Sequence, residues 1–222
     1  MWAGLDYLGG SEAIQLVNSA AATERQTILT ALRSSINKAL SEGIGSSLRC
    51  EEWTVRNICV AMEAALEYQL HPPLFSFAAP SLWLALAQLR QIQQRSATKP
   101  AEPSAGWVLL QAAGEAVALA RGLAEKQLST LLEPREAREV NGGVTDAYAA
   151  RLWLCLALTR RVLHEWLIAL SRALPQFYAE VALVRRHEDF QLLLDLVHPL
   201  QHLSFHLLEK PPPNLGAFLA LP

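Results

Sequence analysis

The sequence is poor in charge and in cysteine. Charged residues make up 18% of its 222 residues, and the formal net charge is −2. Proteins that bind nucleic acids, or acidic membranes through net charge, carry an excess of Lys and Arg, so we expect neither partner. The three cysteines, Cys50, Cys59 and Cys155, are odd in number, widely spaced and form no CxxC motif. This pattern favours a reducing compartment, and we predict a cytoplasmic protein.

Long apolar runs are also missing. A membrane-spanning helix needs about 20 apolar residues, whereas the stretch 74–87 contains Pro80 and the run 152–158 is soon followed by Arg160 and Arg161. The first six residues lack the basic patch and the apolar stretch of a signal peptide. We therefore expect a soluble chain without a transmembrane segment.

Leucine and alanine are abundant and recur at helical spacing. Hydrophobic residues make up 51% of the chain, enough for a substantial core. The helices predicted from apolar positions three and four residues apart are 7–17, 23–43, 51–70, 80–92, 107–132, 145–174, 175–184 and 190–207, the last with a kink at Pro199. The segment 145–174 is apolar on several faces, so we expect it at the centre of the molecule.

No segment shows sustained β alternation, and we find no internal repeat. We therefore predict an all-α fold, a single compact bundle of about eight helices. The predicted divisions are an N-terminal extension at 1–22, a helical domain at 23–208 and a Pro-rich C-terminal tail or linker at 209–222.

Three histidines near the C-terminus are the candidate metal ligands. His198, His202 and His206, with Asp195 one turn earlier, would lie along one stripe of a helix, and a histidine pair four residues apart can hold zinc. Pro199 disturbs the helical register, and no HExxH motif supports the site. We predict imidazoles that face solvent or are partly buried, without a metal.

A hydrolase triad would need a nucleophile close to a base and an acid. His187, Glu188, Asp189 and Ser204 supply those residue types, but the sequence has no GxSxG element to build an oxyanion hole. It also lacks the GxxxxGK[ST] loop that binds nucleotides. We predict a protein that is not an enzyme and holds no cofactor.

Two arginine pairs, Arg160-Arg161 and Arg185-Arg186, lie at polar gaps in otherwise apolar segments. They form either a solvated face with helical partners, such as Glu165 for Arg161, or an electropositive patch for an acidic protein surface. These four arginines are the candidate partner-binding residues.

Four segments resemble sequence blocks of the RUN-domain family. Residues 53–66 resemble its Cys-containing helix that leads to a Leu-Glu-x-x-Leu element, with Met62-Glu63 in place of Leu-Glu. Residues 151–158 resemble its Arg-x-Trp-Leu-x-x-Ala-Leu block and residues 203–207 its Leu-x-Phe-x-Leu close. Residues 177–185 resemble its Phe-Tyr-x-x-x-Ala-Leu-Leu-Arg block, with Val184 in place of the second Leu. Within the family, the chain is most similar to the subgroup of RUN- and SH3-domain-containing adaptors.

The resemblance implies a compact α-helical adaptor domain for intracellular signalling and vesicle traffic. The partners that it implies are small GTPases of the Rab and Rap groups and trafficking or cytoskeletal-motor proteins. Through such partners the domain would associate with vesicles or the cytoskeleton. Arg151 and Arg185 occupy matched motif positions, where they would serve either the fold or a partner.

Two other functions stay open at this point. One is self-association through an exposed Leu or Trp stripe, and the more remote one is a metal-dependent enzyme. The Pro-rich stretch 210–213 would suit either a polyproline ligand or a linker toward an SH3 domain.

Overall fold

The computed structural model describes residues 10–50, 52–71, 81–95, 105–131 and 142–206. Its α-helices over these ranges are α1 Gly10–Gly43, α2 Trp53–Glu67, α3 Leu82–Arg95, α4 Ala105–Leu131, α5 Gly142–Thr159, α6 Leu163–Ala173 and α7 His187–Val197. Short 3₁₀ helices span Pro175–Phe177, Leu183–Arg185 and His198–His202, and two strands span Ser47–Arg49 (β1) and Ser204–His206 (β2). The predicted all-α class is confirmed. The Pro-rich segment at 209–222 lies outside the described residues.

Helix α1 is longer than its sequence pattern predicted. We expected a break between residues 17 and 23, but one helix runs through this segment. The intervening residues contain neither Pro nor Gly, and three of them are alanine, the strongest helix former. Thr23 Oγ1 donates to the carbonyl of Ser19 at 3.1 Å, which is the bond of a residue inside a helix. The predicted boundary at residue 22 therefore falls within a continuous helix.

The segment 145–174 is two helices, so the prediction of one helix there is wrong. The chain turns between α5 and α6, where Arg161 adopts a left-handed backbone conformation with φ of 60°. The turn allows Trp166 on α6 to pack against Trp153 on α5, with ring centroids 5.1 Å apart. In an unbroken helix these two residues would be about 20 Å apart along the axis, at 1.5 Å per residue.

Two further helix predictions are wrong. Residues 175–184 contain 3₁₀ turns in place of an α-helix, because their backbone bonds to a distant segment: His71 N–H donates to the carbonyl of Phe177 at 2.7 Å, and Ala179 N–H to that of Gln69 at 3.0 Å. The predicted helix 190–207 is α7 followed by a 3₁₀ helix and β2. Pro199 lacks an amide hydrogen, so it cannot continue the α-helical ladder.

Helix α5 is the centre of the bundle, as predicted. Every residue from Tyr148 to Leu158 is buried, and α5 packs against α2, α3, α4, α6 and β2. At one end of the bundle, β1 and β2 pair in parallel, with Leu48 beside Phe205 in register. Both of these side chains are buried. The small sheet thus joins the N-terminal part of the chain to its C-terminal part.

Candidate protein-interaction surface

Two of the family-like sequence blocks meet in a buried ion pair. The Nε of Arg151 on α5 donates to both carboxylate oxygens of Glu63 on α2, at 2.8 and 3.0 Å. One turn later, Oε1 of Glu67 accepts from the backbone N–H of Leu82 at 2.6 Å and so caps the start of α3. Burial raises the pKa of the Glu63 carboxyl, although the hydrogen bond and charge of Arg151 act in the opposite direction.

One aromatic residue in each of the other three blocks is also buried. Trp153 is fully buried, and its Nε1 donates to the carbonyl of Ala113 on α4 at 3.2 Å. Tyr178 is buried and forms a β-bridge with Leu70, while Phe205 is the buried residue of β2. These three aromatic side chains belong to the core, so a partner must contact exposed residues elsewhere, inside or outside the blocks.

The first candidate pair lies at the turn between α5 and α6. Both Arg160 and Arg161 are exposed. The expected pair between Arg161 and Glu165 is not formed. The guanidinium of Arg161 donates instead to Ser204 Oγ on β2 at 3.2 Å.

The second pair lies just before α7 and has different neighbours. Arg185 Nη1 donates to the carbonyls of Pro175 at 2.9 Å and Tyr178 at 3.3 Å, so this side chain braces the preceding loop. Arg185 and Arg186 are both exposed, and they line an open depression together with Glu180, His187 and Glu188. The residues around Arg185 and Arg186 therefore differ from Ser204, the residue that Arg161 contacts.

The histidines of the predicted metal stripe are arranged differently from that prediction. His164 lies 5.5 Å from His198, and His198 lies 6.2 Å from His202, measured between ring centroids, whereas His206 is on β2. The 3₁₀ helix at Pro199 has three residues per turn, which moves the histidines out of an α-helical stripe. Over the described ranges, no group of three or more His, Cys, Asp or Glu side chains is arranged to hold a metal ion.

The residue types of a hydrolase triad have other partners. Asp189 on α7 forms an ion pair with Arg25 on α1 at 2.6 Å. Ser204 Oγ accepts from Arg161. Asp189 and Ser204 therefore contact different residues, Arg25 and Arg161.

The helices within the described ranges include none that is both long and apolar enough to cross a bilayer.

Two large apolar side chains are exposed where α1, β1 and α2 meet. Ile44, in the turn after α1, is 80% exposed, and Trp53, the first residue of α2, is 59% exposed. Lys38 Nζ lies 4.1 Å from the centroid of the Trp53 ring and 3.8 Å from Glu42, the residue that also accepts from Thr54. Lys38 thus connects the Trp53 ring on α2 to Glu42 near the end of α1.

Neither Ile44 nor Trp53 was among the residues predicted to bind a partner, although the sequence carries a signal for both. Ile44 lies between two glycines that end α1, so no helical stripe can bury it. Trp53 is outside the apolar stripe of α2, which begins at Val55. Val108 and Leu119 on α4 are the other large apolar residues exposed in the described structure, at 51% and 41%.

The family model of the RUN domain matches residues 57–210, more than half of the chain. The chain belongs to the RUN-domain family. RUN domains are non-catalytic protein-interaction domains associated with small GTPase signalling. No curated protein matches the chain.

The core of this RUN domain also includes residues that precede the matched range. Leu29, Leu32 and Ile36 of α1 are buried, and β1 pairs with β2. Ile44 and Trp53 lie in this preceding part. Both exposed apolar residues therefore precede the segment that the family model matches.

Proposed function

We propose that this RUN domain is a cytoplasmic adaptor that docks a small GTPase of the Rab or Rap type, or a trafficking or cytoskeletal-motor protein. It would act in signalling and vesicle traffic and reach vesicles or the cytoskeleton through these partners. The proposal includes the placement in the subgroup of RUN- and SH3-domain adaptors. Membership in a family of protein-interaction domains supports the proposed docking of a partner protein.

The observation that carries the proposal is the exposure of Ile44 and Trp53, with the Lys38 ammonium over the Trp53 ring. Protein interfaces combine an apolar centre with a polar rim, and Trp is among the residues that contribute most to binding energy. An aromatic ring that is 59% exposed is a binding element of this kind. The block residues Arg151, Trp153, Tyr178 and Phe205 are buried, so the exposed pair Ile44 and Trp53 is better placed to contact a partner.

The four candidate arginines have unequal roles in this proposal. Arg160, Arg161 and Arg186 are exposed and available to an acidic partner surface. Rim charges mainly accelerate association and select partners, which suits an adaptor. Arg185 also holds the loop at Pro175, so its substitution would affect the fold as well as binding.

The experiment is a binding measurement against purified Rab- and Rap-type GTPases, each loaded with GDP or with a non-hydrolysable GTP analogue. We expect at least one GTPase to bind preferentially in its GTP state, and Trp53→Ala to weaken that binding by about tenfold or more. Val108→Ala, which removes an exposed apolar side chain on α4, is the matched control. If the wild-type domain binds no member in either nucleotide state, the GTPase proposal is wrong.

Self-association is the second candidate function. Val108 and Leu119 are eleven residues apart, so they lie on nearly the same side of α4, and both are exposed. Light scattering over a concentration series would show a rising mass if this face pairs with a second copy. A constant monomer mass would exclude it.

A further inference from the structure

The outer face of the two-stranded sheet carries polar and basic side chains that the fold alone brings together. Ser47 pairs in register with Ser204, and Arg49 with His206. All four are exposed, whereas Leu48 and Phe205 between them are buried. Because side chains alternate along a strand and neighbouring strands lie about 4.8 Å apart, the four exposed residues share one side of the sheet.

Arg161 completes this surface from the turn between α5 and α6. Its guanidinium donates to Ser204 Oγ at 3.2 Å, and Ser47 Oγ donates to the carbonyl of Ser204 at 3.5 Å. We call Ser47, Arg49, Arg161, Ser204 and His206 the sheet-face patch. Its members come from three parts of the chain that are far apart in sequence.

The basic groups of the sheet-face patch, Arg49, Arg161 and His206, form no ion pair with an acidic side chain in the part of the chain that the structure describes. Glu42, the acid near the start of the sheet, is held by Lys38 and Thr54. A local cationic face on a chain of net charge −2 is therefore available to an anionic ligand.

We propose that the sheet-face patch binds an acidic segment of a partner protein. Arginine guanidiniums match carboxylates with paired hydrogen bonds, and the Ser204 hydroxyl, whose oxygen accepts from Arg161, keeps its hydrogen as a further donor. Ile44, 80% exposed and three residues before Ser47, offers an apolar contact next to these charges. This inference rests on the proposed protein-docking function and assigns part of it to a defined face.

A protein segment fits this face better than a membrane does. Binding to anionic lipid through charge uses clusters of about four to eight Lys or Arg residues. The sheet-face patch has two arginines and one histidine. Carboxylates spaced along a peptide could each reach one of these groups.

The experiment uses the whole chain and a fluorescein-labelled peptide rich in Glu and Asp with one central Leu. Fluorescence anisotropy should show salt-sensitive binding, and the same peptide with Gln and Asn should not bind. Arg49→Glu/Arg161→Glu should weaken binding by about tenfold or more. The matched control is Arg33→Glu/Arg95→Glu, which makes the same change of net charge at exposed positions on α1 and α3.

The charge-neutral variant Arg49→Gln/Arg161→Gln should show a smaller loss, and thermal melting should confirm that every variant folds. Equal binding by the Arg49→Glu/Arg161→Glu variant, an equal loss in the control, or no binding by the wild type would overturn the proposal. So would binding to phosphatidylserine vesicles alone. Failure of the GTPase panel with successful peptide binding would refute only the proposed GTPase function, and the reverse would refute only the sheet-face patch.

Discussion

The Nε of Arg151 lies 2.8 Å from Oε1 of Glu63, deep between α5 and α2. The Arg151 side chain is 1% exposed and that of Glu63 is 9% exposed. The pair connects residues 88 positions apart in the chain. Glu67, one turn further along α2, is also close enough for the charge of Arg151 to act on its carboxyl. The Arg151 guanidinium therefore pairs directly with Glu63, and its charge also favours the ionised form of the nearby Glu67 carboxyl.

We expect Arg151→Met to lower the free energy of unfolding by about 3–5 kcal/mol at neutral pH. The substitution leaves the Glu63 carboxyl buried without its counter-charge, and urea denaturation would measure the loss. The double variant Arg151→Met/Glu63→Met should recover much of it, since an apolar pair can replace a buried ion pair. A double variant whose loss equals the sum of the two single losses would contradict this account.

The pH dependence of stability should show the titration of the buried Glu67 carboxyl. Burial raises the pKa of this carboxyl above its ordinary value of 4.5, against the hydrogen bond from Leu82 and the charge of Arg151. The folded state therefore holds the proton more tightly than the unfolded state. The resulting stabilisation is fully present below pH 4.5 and is lost as pH rises through the folded pKa.

Glu67→Gln removes this titration but keeps an oxygen for the Leu82 amide. The melting temperature of the wild type, relative to that of Glu67→Gln, should therefore fall between pH 4.5 and neutrality. A constant difference across that range would be inconsistent with a raised pKa. Glu180→Gln, at an exposed site, is the control.

Two glycines of α4 should respond in opposite directions to alanine. A Cβ at Gly122 would meet no atom within 4 Å, so Gly122→Ala should stabilise the domain by about 0.8–1 kcal/mol through helix propensity. A Cβ at Gly114 would lie 3.0 Å from both Cβ and Cγ of Gln93 on α3. Gly114→Ala gains the same propensity but must displace Gln93, at a cost of about 1–3 kcal/mol, so its net effect should be destabilising. Denaturant midpoints that move in the same direction would refute this.

The two candidate arginine pairs should differ in their effect on stability. Arg185→Ala removes hydrogen bonds to the carbonyls of Pro175 and Tyr178 and should cost about 1 kcal/mol. Arg160→Ala removes an exposed side chain at the end of α5 and should change stability by less than about 0.5 kcal/mol. Thermal melting distinguishes the two, and equal effects would show that the Arg185 contacts contribute nothing.

The three thiols should be unreactive in the native protein. Cys50, Cys59 and Cys155 are fully buried, and the sulfurs of Cys59 and Cys155 lie 3.9 Å apart. Hydrogen bonding with Cys50 and Cys59, together with burial, raises the pKa of the Cys155 thiol and disfavours the reactive thiolate. Ellman's reagent should modify all three only when urea unfolds the chain. Rapid native labelling would be incompatible with this core.

Apolar periodicity was enough to predict the helical class, the central position of α5 and the end of α1 at Gly43. It could not locate the break at Arg161, because the apolar stripes continue on both sides of that residue. It also could not predict the 3₁₀ turns at 175–185, whose backbone bonds to residues 69–71. For the candidate surface, the arginine pairs were found from sequence, but the neighbours of Arg161 and Arg185 were not.

The amino-acid sequence by itself determined the helical class and the RUN family, because helix propensity, apolar spacing and motif residues are local properties of the chain. Only the tertiary structure decided which charged side chains are buried and which are exposed. The Arg151–Glu63 pair and the sheet-face patch join residues up to 157 positions apart. Such contacts depend on how the helices pack, and local sequence does not encode that packing.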